Sequence, residues 1–148
     1  MKVKECMCTA VWAAKPETTI YDIAKLMETN KIGCVPICDA NNALVGIITD
    51  RDIVLRGVSC DKNAKTTPIS EIMTTKVCSC TPDDDVFDAE CKMSQNQVRR
   101  IPVLQNNQIV GILTLGNLAN NDEQIGKRQV SSTMSNICEN NGQSKNNY

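Results

Sequence analysis

Apolar residues along this chain fall into short runs of two kinds. Around Val35–Ile37 and in "LVGIIT" (44–49) they crowd together in the manner of a buried strand. Between Ile20 and Met27 they sit at Ile20, Ile23, Ala24 and Met27, one face of a 3.6-residue helix. Both patterns return later. Val86, Ala89 and Met93 mark a second helix face, and Ile101–Leu104 with "IVGILT" (109–114) a second pair of strands. An Asn-rich turn closes each pair into a hairpin. A short apolar strand near Val11, and another near Val77, leads to Pro16 or Pro82 ahead of the first helix. A further helix is expected after Thr49 and after Thr114. The predicted order is β-α-β-β-α, twice.

The recurrence extends to single residues. Met7 corresponds to Met73, Thr9 to Thr75, Pro16 to Pro82, Asp22 to Asp88 and Pro36 to Pro102. "DANNALVG" is one residue longer than "QNNQIVG", so the register slips by one there. Beyond it Gly46 matches Gly111, Thr49 matches Thr114, and Asp52 meets Asn117. An internal repeat of this length sets the organisation before any finer detail. Residues 1–60 form the first repeat, 61–72 a linker with a short helical turn, 73–122 the second repeat, and 123–148 a C-terminal helix and polar tail. In the linker, Thr67-Pro68 has the form of an N-cap followed by a first-position proline, opening "PISEIM". Ile125, Val130, Met134, Ile137 and Cys138 line one side of the terminal helix, and the chain frays from Glu139. Neither half has enough apolar surface to stand comfortably alone, so the two are expected to pack together.

Composition narrows the chemistry. The chain has 148 residues, a net charge of −1 and no histidine. The charge gives no reason to expect nucleic-acid binding. No apolar run is long enough for a membrane helix, and the N-terminus lacks a secretory apolar stretch, so a cytoplasmic protein is expected. Without histidine, Ser-His and Cys-His nucleophile pairs and histidine metal ligands are ruled out. No dinucleotide glycine fingerprint and no paired catalytic carboxylates stand in their place, so no catalytic residues are assigned. Nine cysteines, an odd number, do not form a disulfide framework. "CMC" (6–8) and "CSC" (78–80) invite a zinc reading, but the spacing is C-x-C rather than C-x2-C, and the two pairs fall at different points of the repeat. Cys34, Cys38 and Cys91 occupy positions suited to small apolar residues. No metal site is assigned; passive thiols are expected.

The repeated Pro-containing strand, followed by "VGIITDRDI" (45–53) and by "VGILTLGNL" (110–118), resembles paired cystathionine β-synthase (CBS) domains, the arrangement called a Bateman module. The second half is similar to small stand-alone bacterial CBS-pair proteins, and the same modules occur within inosine monophosphate dehydrogenase. The resemblance implies an α+β fold of two β-α-β-β-α repeats packed through their sheets about a pseudo-two-fold axis. It implies two clefts that take adenosyl compounds, and modules that associate in pairs.

A Thr-x-x-Asp leaving a strand is also a helix capping box, so the junction has a purely structural alternative. The same residues suit a nucleotide. Helix-end N–H groups and a Thr hydroxyl face a phosphate, and a carboxylate accepts from a ribose diol. The resemblance gives ribose recognition to Asp52 and a ribose or phosphate contact to Thr49. The adenine is expected against Gly33–Ile37, with Cys34, Val35 and Pro36 as apolar surface and backbone near Ala13 and Ala14 reading the base edge; a plain core strand is the alternative. In the second repeat the corresponding residues are Arg99, Arg100, Ile101, Pro102, Thr114 and Asn117. Arg99 matches a family position for phosphate binding, and an arginine fork suits phosphate oxygens; a solvated charge is the alternative. Arg51 and Arg100 are weaker candidates of the same kind.

The function expected is a non-enzymatic regulatory module that binds AMP, ADP, ATP, NAD or S-adenosylmethionine and acts on a regulated protein. No cofactor is required. A homodimer is expected, covering the Ile125–Ile137 stripe. The alternative is a structural or scaffolding dimer whose clefts are wholly or partly inactive.

Overall fold

The computed structural model describes residues 1–121 and 127–143, with side chains for 1–121 and 130–138. The chain forms two compact units, and they do not follow the repeat boundaries. One is continuous, Trp12–Val77. The other joins Met1–Val11 to the chain from Cys78 onward. The chain thus changes unit at Val11–Trp12 and again at Val77–Cys78, equivalent points in the repeat.

The continuous unit contains helix α1 (Ile20–Asn30), strands β1 (Cys34–Cys38) and β2 (Leu44–Thr49), and a short helix α2 (Asp50–Asp52) that runs into a π-helical segment, Ile53–Val58. Thr19 caps α1 by accepting from the Asp22 amide, and Lys31 ends it in the left-handed conformation at φ 53°. Ile20, Ile23 and Met27 are buried as the periodicity requires. Each such side chain contributes roughly 1.5–3 kcal/mol relative to exposure. They pack against Val35, Ile37, Ile48, Ile69 and Ile72. β1 and β2 are antiparallel, with Cys34 opposite Thr49 and Pro36 opposite Ile47, and a bulge after Ile37. The Asp39 carboxylate accepts from the amides of Asn41 and Ala43 and holds the longer of the two turns.

The second unit repeats this plan. Helix α3 (Val86–Asn96) is capped by Asp85 and ends at Gln97 with φ 55°. Strands β3 (Arg100–Gln105) and β4 (Gln108–Thr114) form the hairpin, bulged after Val103. Its turn is Asn106-Asn107, with φ 51° and 64°, the two-residue mirror-image turn that asparagine tolerates. Helix α4 (Leu115–Asn120) follows, then α5 (Lys127–Gln143). Ile137 of α5 is buried in a core with Val86, Ala89, Met93, Leu113 and Leu118.

The structure alters four expectations. No strands form near Val11 or Val77. Instead Cys8 bridges to Ile112 in one unit and Ala14 to Ile37 in the other, while Thr74 bridges to Ile47 and Cys80 to Val103. The ends of each segment attach to different hairpins, so neither builds a continuous ladder. Second, Thr67 is not an N-cap. Pro68 itself holds the cap position of a short 3-10 turn, Ile69–Glu71, and the Thr67 carbonyl accepts from the Ile20 amide. Third, the latter part of the segment read as a linker is packed: Thr67, Ile69 and Ile72 are buried, while 61–63 are exposed. Fourth, the apolar stripe of the terminal helix is narrower than its sequence. Ile137 is buried but Met134 and Cys138 are exposed, and Thr133, one turn before Ile137, is buried. Ile125 lies outside the described residues. The helix passes through Glu139 to Gln143, and 144–148 lie outside the described residues.

The Val-Gly pairs have a packing cause. A Cβ at Gly46 would lie 2.6 Å from the Met73 sulfur and 3.1 Å from the Thr74 carbonyl oxygen. At Gly111 the same distances are 2.7 Å to the Met7 sulfur and 3.1 Å to the Cys8 oxygen. The Met that opens each repeat therefore covers the glycine of the other.

Candidate functional site

β2 ends where α2 begins, and the junction is built from four groups. The Thr49 hydroxyl accepts from the Asp52 amide at 3.2 Å. Asp52 Oδ2 accepts from the Thr49 amide at 3.0 Å and from the Thr49 hydroxyl at 2.9 Å. The reciprocal capping box is thus formed. The Asp50 amide donates to the Gly33 carbonyl at 3.2 Å, which brings the start of α2 against the entry to β1 and sets Cys34 opposite Thr49. Asp52 Oδ1 faces Arg56 Nη2 at 3.6 Å. A carboxylate has about four lone-pair positions; the cap uses Oδ2 alone. Asp52 is 16% exposed at its side chain.

The second unit forms the same box with an amide. The Thr114 hydroxyl accepts from the Asn117 amide at 3.0 Å. Asn117 Oδ1 accepts from the Thr114 amide at 3.0 Å and from its hydroxyl at 2.8 Å. The Leu115 amide donates to the Arg99 carbonyl at 3.0 Å, and Arg100 pairs with Thr114. Arg99 is exposed and Arg100 half-buried.

Thr49, Asp52 and Cys34 therefore converge at one end of the β1–β2 hairpin, and Arg99, Arg100, Thr114 and Asn117 at the same end of β3–β4. Arg51 is exposed, its amide donating to Asp50. Val35 and Ile101 are fully buried core residues, and Pro36 and Pro102 are buried in their strands. The Ala14 backbone is occupied: its amide donates to Pro36 and its carbonyl accepts from Cys38. Ala13 is exposed. The sequence reading passed over Arg56, leaving it in the first repeat without a role. Its spacing, four residues after Asp52, was the available signal.

The cysteines follow burial. Cys6, Cys38 and Cys80 are buried, while Cys8, Cys60 and Cys138 are exposed. Burial first, then the nearby Asp84 carboxylate, pushes the Cys80 thiol up to about 12, far from a reactive thiolate. Among the described residues no group of three Cys, Asp or Glu side chains could hold a metal ion.

The CBS domain model matches the chain twice, over residues 3–58 and 69–122. The chain belongs to the CBS domain family. The CBS domain-containing protein YhcV of Bacillus subtilis is 37% identical over 139 residues, covering 94% of this chain and 96% of that protein. The CBS domain pair of protein MJ0100, solved in complex with 5′-methylthioadenosine and S-adenosyl-L-methionine, superposes with a TM-score of 0.76 at 29% identity, over 84% of this chain and 97% of that one. Hypoxic response protein I, solved with two coordinated zinc ions, superposes with a TM-score of 0.75 at 28% identity, over 81% and 98%; the protein of that name in Mycobacterium tuberculosis is 28% identical over 116 residues. The α+β fold of two CBS repeats is that of these CBS-pair structures. Among the described residues no helix is long and apolar enough to cross a membrane.

Proposed function

We propose that the chain is a non-enzymatic regulatory module that binds an adenosine-containing small molecule at the Thr49–Asp52 junction and alters a partner protein in the cytoplasm, as a homodimer. The observation that carries this reading is the unspent oxygen of Asp52. Oδ2 completes the cap, and among the described residues Oδ1 meets only the edge of Arg56 at 3.6 Å, so it can accept a ribose hydroxyl without opening the helix end. The family and the adenosyl ligands of MJ0100 support the same choice of ligand class. AMP, ADP, ATP, NAD and S-adenosylmethionine share this nucleoside.

Asn117 favours a second reading, in which the other junction is a scaffold rather than a ribose site. Both lone pairs of its Oδ1 are committed to Thr114. What remains is the amide donor, beside Arg99 and Arg100. Such a site has no acceptor left for a ribose hydroxyl proton; it can only donate, to a hydroxyl or a phosphate oxygen. Calorimetric titration with adenosine and with each nucleotide tests both readings. Asp52→Ala is expected to weaken adenosine binding by about 1.5–3 kcal/mol, the scale of a hydrogen bond to a charged group, and Asn117→Ala to leave it unchanged. Unchanged affinity in Asp52→Ala removes the junction as the ribose site.

A further inference from the structure

Arg56 joins two places that the repeat keeps apart. One end of its guanidinium, Nη1, donates to the Ile72 carbonyl at 3.1 Å and to the Thr74 hydroxyl at 3.0 Å. The other, Nη2, faces Asp52 Oδ1 at 3.6 Å. The group is planar and rigid, so Nη2 does not move without turning Nη1. The Ile72–Thr74 segment is itself seated on β2. Thr74 and Ile47 exchange backbone hydrogen bonds, each at 2.9 Å, and the Met73 sulfur covers Gly46. A few residues later, at Val77–Cys78, the chain leaves this unit.

Among the described residues the other unit has no such device. The residue matching Arg56 is Asn121, whose Nδ2 donates at 2.8 Å to the Asn117 carbonyl of its own helix. The π-helical segment Ile53–Val58, which carries Arg56, has no counterpart in α4, which ends at Asn120. π-helical turns often mark functional positions; here the independent observation is the three-way contact of Arg56.

We infer that Arg56 is a positioning residue that ties the Asp52 carboxylate to the seating of Ile72–Thr74 on β2, and that a ligand hydroxyl on Asp52 is thereby reported in the segment on which the chain leaves the unit. The first half stands on the geometry of Arg56; the second rests on the ligand reading proposed above. A hydroxyl donating to Oδ1 competes with Nη2 for that oxygen. The fork then turns, and its two bonds to Ile72 and Thr74 weaken.

Amide hydrogen exchange on the full chain tests both halves separately. Without ligand, Asp52→Asn keeps a cap acceptor and removes the charge. It is expected to speed exchange of the Thr74 and Ile47 amides by about two- to fivefold, the range for a partly exposed ion pair. Arg56→Gln is expected to do the same, and the double variant to be no faster than Arg56→Gln alone. Arg56→Lys retains the charge but not the fork, so it behaves like Arg56→Gln. Additive effects in the double variant, or unchanged Thr74 exchange in Asp52→Asn, overturn the tie. Adenosine is then added. Binding that speeds Thr74 exchange in the parent but not in Arg56→Gln supports the reporting role. Binding with no response at Thr74 overturns it. No binding at all overturns the ligand reading and the reporting with it, while the mutant cycle still decides the tie.

Discussion

Asp52 and Asn117 stand at the same point of two hairpins and perform the same capping, yet they leave different groups over. The carboxylate spends one oxygen on Thr49 and keeps one. The amide spends its single oxygen on Thr114 and keeps a donor. Around each, the fourth residue onward matches it. Arg56 pairs with the charge of Asp52, and Asn121 bonds to the backbone of Asn117. A one-atom difference between acid and amide is thus accompanied by a change in what the next turn touches: in one unit a strand-bound segment, in the other its own helix. Duplicated structure does not mean duplicated function when the residues that complete a motif also decide which of its atoms remain available.

The same comparison runs through the cores, and the largest test of it lies in the second unit. Glu90 is 1% exposed on α3. Its Oε1 accepts from the Thr133 hydroxyl of α5 at 2.7 Å, and its Oε2 has no hydrogen-bond partner among the described residues. Thr133→Val removes the bond and leaves a buried carboxylate without it, an expected loss of about 3 kcal/mol. Replacing both groups, Glu90→Leu with Thr133→Val, is expected to recover most of that loss, because neither polar group then remains buried alone. Hydrogen exchange read unit by unit checks it: Thr133→Val is expected to speed exchange in α3 and β3 and to leave α1 and β1 unchanged. Faster exchange in α1 and β1 breaks the picture of two separate cores.

Gly46→Ala and Gly111→Ala come next, and here the units are expected to behave alike. Each new methyl meets a Met sulfur and a backbone oxygen. The sulfur end of Met moves readily; the carbonyl does not. A loss of about 2 kcal/mol is expected in each case, read as a lower denaturant midpoint. A marked difference between the two variants contradicts the reciprocal Met–Gly packing.

Acid gives the smallest effect and separates the units again. Asp84 accepts from the Thr81 amide and hydroxyl and from Lys92. Its pKa is held below the ordinary carboxylate value, first by the Thr81 hydroxyl, then by the Thr81 amide and, further, by Lys92. A carboxyl whose folded pKa is depressed contributes stability above its unfolded value and loses it as pH falls through the folded one. The corresponding residue in the continuous unit is Thr18, whose hydroxyl accepts from the Lys15 amide and carries no charge. Asp84→Asn is therefore expected to cost under about 1 kcal/mol at pH 7 and nothing near pH 2. Thr18→Ala is expected to show no such pH dependence. Urea titrations at the two pH values measure the difference.

Much of this was legible in the residue pattern. Helices α1 and α3 follow from Ile20, Ile23, Met27 and from Val86, Ala89, Met93, because a half-buried helix must repeat its apolar contacts every turn. The hairpins follow from their Asn turns. The capping box could be written from Thr49 and Asp52 alone. The stretches near Val11 and Val77 could not, since whether an apolar run forms a strand depends on where its partners lie, and theirs lie in two different units. Arg56 was missed for a related reason. Its partner Asp52 is local, but Ile72 and Thr74 become neighbours only once the supposed linker is packed. Thr133 was hidden by its polarity; its burial is set by Glu90 on another helix.

The chain's change of unit at Val11–Trp12 carries a consequence for synthesis. Trp12–Val77 is contiguous, and all its pairing partners have emerged once Val77 has. Residues 1–11 are made before that unit, but their partners follow it. Cys8 waits for Ile112, and Met7 waits for Gly111. During translation residues 1–11 stay without these partners until Ile112 is made, and the closure of Cys8 on Ile112 spans all of Trp12–Val77 in sequence. Long-range pairing of this kind is slow. The late step in building this second unit is therefore the recruitment of residues 1–11.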